Sequence, residues 1–472
     1  MTDPPRWHRR DFVKLAGWGL AWPLLPAAAV AGQPRRASAP AGGAPRFALL
    51  SKKGGDRATA YVMSNKIARR RGSLVCTWLQ SNRQNHWAAV DPDTGNVSAG
   101  GPVGPVERDN HCGAALATGV DGDLHLVIGA HHGPFMHYRM PSSADRWELV
   151  GDGRAGGPSA TYPSLVCDGK GTLHLTYRCE PGGHDARLHY CRRPAGGAWS
   201  SPRVLAQSAV SEHSWLTNAI EVGPAGRLHV VMSNTLPVPD AGAHARYYGA
   251  SHLCSDDSGQ TWRQLGSDRP LDLPVHGTRL KRIEGDGLDP ARIEQHYGGK
   301  AGPRHSYYHK ILLSNPAVDE QGRPWVVVHN LLRGSARLYR HEDSRGWLGT
   351  ALLDAVESVL PGFRIRHCAQ LTRHRDGAVE AVLMASPEAK PGWGAEGTAL
   401  VRMVFGADGQ IRRTEPLRPA DPGLPQWLPS LERFCPHAPV GRPALLFTRG
   451  VNAGGYGQNR NSVCTEVWLR LS

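Results

Sequence analysis

The chain has 472 residues, 56 of them glycine, 37 proline and 14 tryptophan, with a formal charge of +14. That length is too great for one ordinary core and leaves either several domains or one repeat architecture. After residue 50 no 12-residue stretch holds a helical apolar period, which favours an all-β protein with many turns over the helical classes.

The N-terminus, "WHRRDFVKLAGWGLAWPLLPAAAVAG", has a basic start, a short apolar run and small residues before a cleavage point. Arg9 and Arg10, followed by Phe12 and Lys14, resemble a twin-arginine export signal, so residues 1–31 are expected to be removed and the mature protein to be periplasmic or extracellular. A membrane anchor is the competing reading. The apolar run from Leu15 to Ala31 is short for one and carries Pro23 and Pro26, so no stable membrane insertion is expected after cleavage. Residues 32–45 read as a flexible leader and residues 46–472 as the folded part. Losing four basic and two acidic residues with the signal leaves a charge of +12, which attracts anions. Export argues against nucleic acid and leaves an acidic polysaccharide as the expected partner.

From residue 70 onward one phrase recurs: a turn with glycine and then a β-rich run. Its copies are "RRGSLVCTWLQ", "VDGDLHLVIGA", "GKGTLHLTYR", "PAGRLHVVMSN", "EQGRPWVVVHN", "RDGAVEAVLMA" and "PVGRPALLFTR". The seven glycines are 50, 49, 55, 96, 55 and 64 residues apart, close to one four-stranded unit per step. This spacing predicts a seven-bladed β-propeller. Each glycine is expected at positive φ in a turn that leads into the inner strand of its blade. No blade buries both faces alone, and seven packed around an axis make one continuous core.

Between the fourth and fifth copies lies "CSDDSGQTW", where Ser255, Asp257, Gly259 and Trp262 stand as Ser-x-Asp-x-Gly-x-x-Trp. This resembles the Asp-box of bacterial neuraminidase (BNR) repeat propellers, a hairpin turn in which the carboxylate ties off backbone N–H groups above a packed tryptophan. It is a structural signature and says nothing about chemistry. The same interval holds "HGTRLKRIEGDGLDPARIEQHYGGKAGPRHSYYHK", residues 276–310, an insertion expected to form a lid or groove wall.

The segments "DNHCGAAL", "GAHHGPF", "TYPSL" and "TYR" together resemble the branch of these propellers that includes ulvan lyases, most sharply over residues 107–262. The resemblance implies a secreted polysaccharide lyase. By position it assigns His111 and His131 to proton transfer or positioning, Tyr162 to base or acid, and Arg178 to the substrate carboxylate. Asn110, His132, Trp215 and Arg192 are the candidate substrate contacts. Two departures stand out. Trp215 in "SEHSWLTNAI" takes the place of a tyrosine, and His132 adjoins His131, so strand phase decides which of the two faces the site.

The residue types suit the chemistry. Abstracting a proton α to a uronate carboxylate builds a dianion, which calls for a fixed cation and a neutral histidine or phenol as base. The reaction requires no cofactor. His367 with Cys368, Cys435 with His437 and Cys254 with His252 leave open a structural zinc or calcium ion, at no standard spacing. The nine cysteines are scattered without a C-x-x-C pair, so Cys167, Cys179 and Cys191 are either one local disulfide among them or buried thiols. Two other functions fit the same scaffold: a glycoside hydrolase of sialidase or rhamnosidase type, and a non-catalytic glycan-binding propeller.

Overall fold

A computed structural model describes residues 46–129, 131, 133–179, 186–208, 217–237, 246–284, 311–330, 333–366, 369–389, 394–417, 424–437, 441–451 and 464–471. Seven sheets of four or five strands, antiparallel apart from one parallel pair in the third, follow one another along the chain and form a seven-bladed β-propeller. The ring closes between its two ends. Phe47–Gly54 is the outer strand of the seventh sheet, pairing with Thr465–Arg470 beside Leu445–Arg449 and the inner strand Gln426–Leu431.

Six of the seven repeat glycines behave as expected, Gly72, Gly122, Gly171, Gly226, Gly322 and Gly377 having φ between 77° and 84°, whereas the seventh, Gly441, is not at positive φ. The strand after each turn is, however, the second of its sheet and not the inner one. In the second blade Ala115–Thr118 is innermost and precedes the turn, and Leu124–Ile128 follows it. The second strand is sandwiched on both faces by neighbouring blades, so it reads as an unbroken apolar run. Every residue of Leu173–Cys179 is buried, for example. A central position within a blade and an axial position in the ring give the same pattern, which is why the sequence does not separate them.

The 96-residue step holds a single blade with an insertion. Its strands Asn218–Val222, Leu228–Pro237, Arg246–Ser255 and Arg282–Glu284 make the fourth sheet, while Val275–His276 leaves it to pair in parallel with Ala206 and Gln207 of the third. Residues 285–310 of the insertion lie outside the described residues.

The Asp-box turn is built as its residue types require. Ser255 Oγ donates to Asp257 Oδ1 (2.8 Å) and accepts Gly259 N–H (2.9 Å), and Asp257 also takes the N–H groups of Gln260 and Thr261. Trp262 is fully buried, with its indole N–H on Gly259 O (3.2 Å) and its ring 5.2 Å from that of Tyr190 in the third blade.

Cys167, Cys179 and Cys191 are buried free thiols. Among the described residues, no helix is long and apolar enough to cross a membrane.

Candidate active site

Inner strands all begin at one end of the ring, and three connecting segments meet there beside a bulged strand. Residues 55–66 join the seventh blade to the first, residues 107–114 join the first to the second, and residues 129–134 join the second and third strands of the second blade. The inner strand of the third blade, Ala160–Cys167, has a register shift between Thr161 and Ser164, and Tyr162 within it has φ of 58°. A tyrosine in the left-handed region is strained, at a cost of about 1–2 kcal/mol. The bulge turns its side chain out of the ladder and toward this mouth.

Asp109 organises the mouth. Its Oδ1 accepts the backbone N–H of His111 (2.8 Å) and lies 3.1 Å from His111 Nδ1, while Oδ2 lies 2.7 Å from His131 Nδ1. The two imidazoles stack, with centroids 4.5 Å apart and planes 12° apart. Tyr162 completes the group, its ring 6.1 Å from that of His131 and 6.5 Å from that of His111. Cys112 Sγ accepts the His131 backbone N–H (3.1 Å) and holds the second loop against the first.

Protonation states follow from these contacts. Asp109 is partly buried, which alone would raise its carboxyl, yet the bonds from His111 and His131 hold it well below the usual carboxylate range. An ionised carboxylate only accepts, so both histidines must present Nδ1–H to it, which leaves Nε2 as the lone-pair nitrogen of a neutral His111. Burial lowers His111 to about 4, assisted by the charges of Arg57 and His131 and opposed by Asp109. His111 is therefore neutral across the neutral pH range, as a proton acceptor must be.

Cations lie behind the phenols. Arg178 is 2% exposed, opposite Thr161 in the ladder, with Cζ 4.6 Å over the Tyr162 ring. Arg57 donates to the Tyr61 hydroxyl, and Tyr61 stacks near His111 (6.0 Å) and meets Tyr162 edge to face (4.8 Å). Burial would lower Arg57, but the nearby Tyr61 and Tyr162 phenols and Asp56 hold it above its ordinary value. Burial likewise pushes Tyr61 well up.

The mouth thus gathers four of the residues expected from the sequence: His111, His131, Tyr162 and Arg178. Asn110 is beside them but 3% exposed, its amide donating to Asp56 Oδ1 (2.7 Å) next to Arg57. Arg192 is not brought here. It lies opposite His174 near the repeat-turn end of the third blade, donating to Ser258 O of the Asp-box turn (2.7 Å). His132, Trp215, His367 and Cys368 lie outside the described residues. Asp109, Arg57 and Tyr61 were not expected. Asp109 had a local signal, an acidic residue two positions before His111 where it caps that residue's N–H. Arg57 and Tyr61 lie in no repeat and reach the mouth only through ring closure.

Among the described residues, Asp109, His111 and His131 are the one set whose ligand atoms lie close enough to hold a metal ion, all within 4.8 Å of one another. Their 2.7 and 3.1 Å contacts are hydrogen-bond distances, and a proton relay accounts for them. Of the pairs read from the sequence, His252 and Cys254 are each engaged elsewhere: the His252 ring bonds His229, and Cys254 Sγ donates to Arg263 O.

The model of a BNR repeat-containing family matches residues 59–353 of the chain. None of the curated proteins compared with it matches. Among solved structures, an ulvan lyase from a new polysaccharide lyase family superposes with a TM-score of 0.61 at 12% identity, over 86% of this chain and 94% of that one. An ulvan lyase bound to -[GlcA(1-4)Rha3S]- gives 0.59 at 12% identity over the same shares. The polysaccharide lyase Uly1 gives 0.56 at 13% identity, over 90% of this chain and 99% of Uly1. At these identities the likeness is one of fold.

Proposed function

The chain belongs to the BNR repeat-containing family, and from that premise we propose that it is a polysaccharide lyase cleaving a uronate-containing anionic glycan by β-elimination. The observation that carries this reading is the carboxylate of Asp109 bridging two stacked histidines beside Tyr162. Its support from relatives is that similarly folded proteins are ulvan lyases, one of them bound to a glucuronate-containing fragment.

In this proposal Nε2 of neutral His111 takes the proton α to the uronate carboxylate. The C–H electron pair forms the new double bond, the bond from the β carbon to the glycosidic oxygen breaks, and the Tyr162 hydroxyl gives that oxygen its proton. His131 holds the relay with Asp109. Arg178 faces the Tyr162 ring at 2% exposure, so we assign it a positioning role in which its charge stabilises the phenolate left by proton transfer. Arg57 adds the second fixed cation toward which a uronate carboxylate is drawn. A mature charge of +12 favours capture of a polyanion. Export by the twin-arginine route with loss of residues 1–31, followed by the leader at 32–45, places the enzyme with such glycans outside the cytoplasm.

The test is to incubate the chain lacking residues 1–31 with a panel of acidic polysaccharides and follow ultraviolet absorbance. Elimination leaves a conjugated unsaturated uronate and a rising signal. New reducing ends without that signal would instead make the protein a hydrolase. Binding without cleavage would make it a lectin-like propeller.

A further inference from the structure

At the end of the ring opposite His111, the inner strands run out around a cavity on the propeller axis. It is lined by Asn65, Cys167, Glu221, Glu432, Arg433 and Cys435, among others. Arg433 is 6% exposed. One of its nitrogens, Nη2, donates to Val62 O (2.9 Å), while Nε and Nη1 are buried with no hydrogen-bond partner among the described residues. A buried guanidinium with two orphaned donors is costly unless an acceptor meets it.

The charges around it do not cancel. Glu432 is neutralised by a bidentate bond from Arg69 (2.7 and 3.1 Å) and also accepts Ala444 N–H (2.9 Å). Glu221 accepts the backbone N–H of Val222 (3.0 Å) and is the remaining acid. Facing it are Arg433 and Arg373, whose guanidinium lies 3.8 Å over the Phe434 ring. Arg373 is partly offset by Glu320 at 3.4 Å. The thiols of Cys167 and Cys435 complete the wall.

We propose that this axial cavity is a binding site for a small monovalent anion, held by the free donors of Arg433. The site is separate from the mouth that carries His111 and does not depend on the lyase reading. Its structural consequence follows from Val62, which lies next to Tyr61 in the segment that also carries Arg57. An anion fixing Arg433 braces that segment from below. Burial raises Glu221 to about 7, so at pH 6 it carries its proton and adds no negative charge to the cavity.

Bromide soaked into crystals at pH 6 should give an anomalous peak within hydrogen-bonding distance of Arg433 Nε or Nη1. Peaks confined to the outer surface, an adventitious ion only, would overturn the proposal, as would plain water density at that place. Arg433→Gln should lose the axial peak and keep any surface ones. Since that variant also gives up the bond to Val62 and can fail to fold, the unaltered protein supplies an independent measurement. At fixed ionic strength, replacing bulky gluconate by chloride should raise the melting temperature by a few degrees and saturate. A melting temperature indifferent to which anion is present rejects the site.

Discussion

Asp109 does for the candidate site what neither histidine does alone, because one ionised carboxylate sets the tautomer of both rings. Asparagine at that position would accept through Oδ1 but donate through Nδ2, so one of the two histidines would have to turn its lone pair inward and its N–H outward. Asp109→Asn should therefore lower kcat by roughly 10²–10⁴-fold, the usual contribution of a positioned acid or base, with an unchanged circular dichroism spectrum. Full turnover in that variant would remove the relay from the mechanism. Tyr162→Phe separates the hydroxyl from the ring. The phenylalanine keeps the same place over Arg178 and the same strained φ, so the melting temperature should hold while the absorbance assay goes flat. If the variant still cleaves, another group protonates the leaving oxygen.

Among the elements, the Asp-box turn shows how a sequence motif and a tertiary contact reinforce each other. Gly259 has φ of 83°, and a Cβ there would come within 1.9 Å of the Tyr190 hydroxyl. That hydroxyl cannot retreat freely, because it lies 2.8 Å from His174 Nδ1, whose ring is held at Nε2 by Asp168 (3.1 Å). Gly259→Ala should destabilise the fold by about 2–4 kcal/mol, combining left-handed strain with overpacking, as read from denaturant midpoints. A change below 1 kcal/mol would mean that Tyr190 moves aside at little cost. The motif, six of the seven glycine turns and the blade count were legible in the sequence, since each depends on residues near one another in the chain. The place of each strand within its blade was not. Leu173–Cys179 looks axial because both its faces are covered, and only the pairing order shows that Ala160–Cys167 lies inside it.

For the whole ring, the histidines of the repeat matter more than those of the mouth. In "DGDLHLVIGAHHGPFMHYRM" only His131 among the described residues belongs to the candidate site; His125 and His137 are core, with Nδ1 and Nε2 3.1 Å apart. The fourth blade repeats the device with His229 and His252, again 3.1 Å apart. A sequence shows these rings as alike, and it is burial between blades that divides them. Burial lowers His125 to about 4, His137 and His229 to about 3, and His189 and His329 to about 4, and holds His252 well below its ordinary value. The unfolded chain takes up protons at these positions near pH 6.5 and the folded one only well below that. Stability from neutral burial is thus complete above 6.5 and drains away as pH falls toward 4, at on the order of 1 kcal/mol per pH unit for each uncoupled ring. Glu107 and Glu221, both raised to about 7 by burial, work in the opposite direction below 7, joined by Asp56 and Glu432, and these acids are outnumbered by the lowered histidines. Melting temperature should accordingly fall most steeply between pH 6.5 and 5. Replacing His229 and His252 together by leucine should flatten that fall, and an equally steep decline in the double variant would place the acid sensitivity elsewhere in the ring.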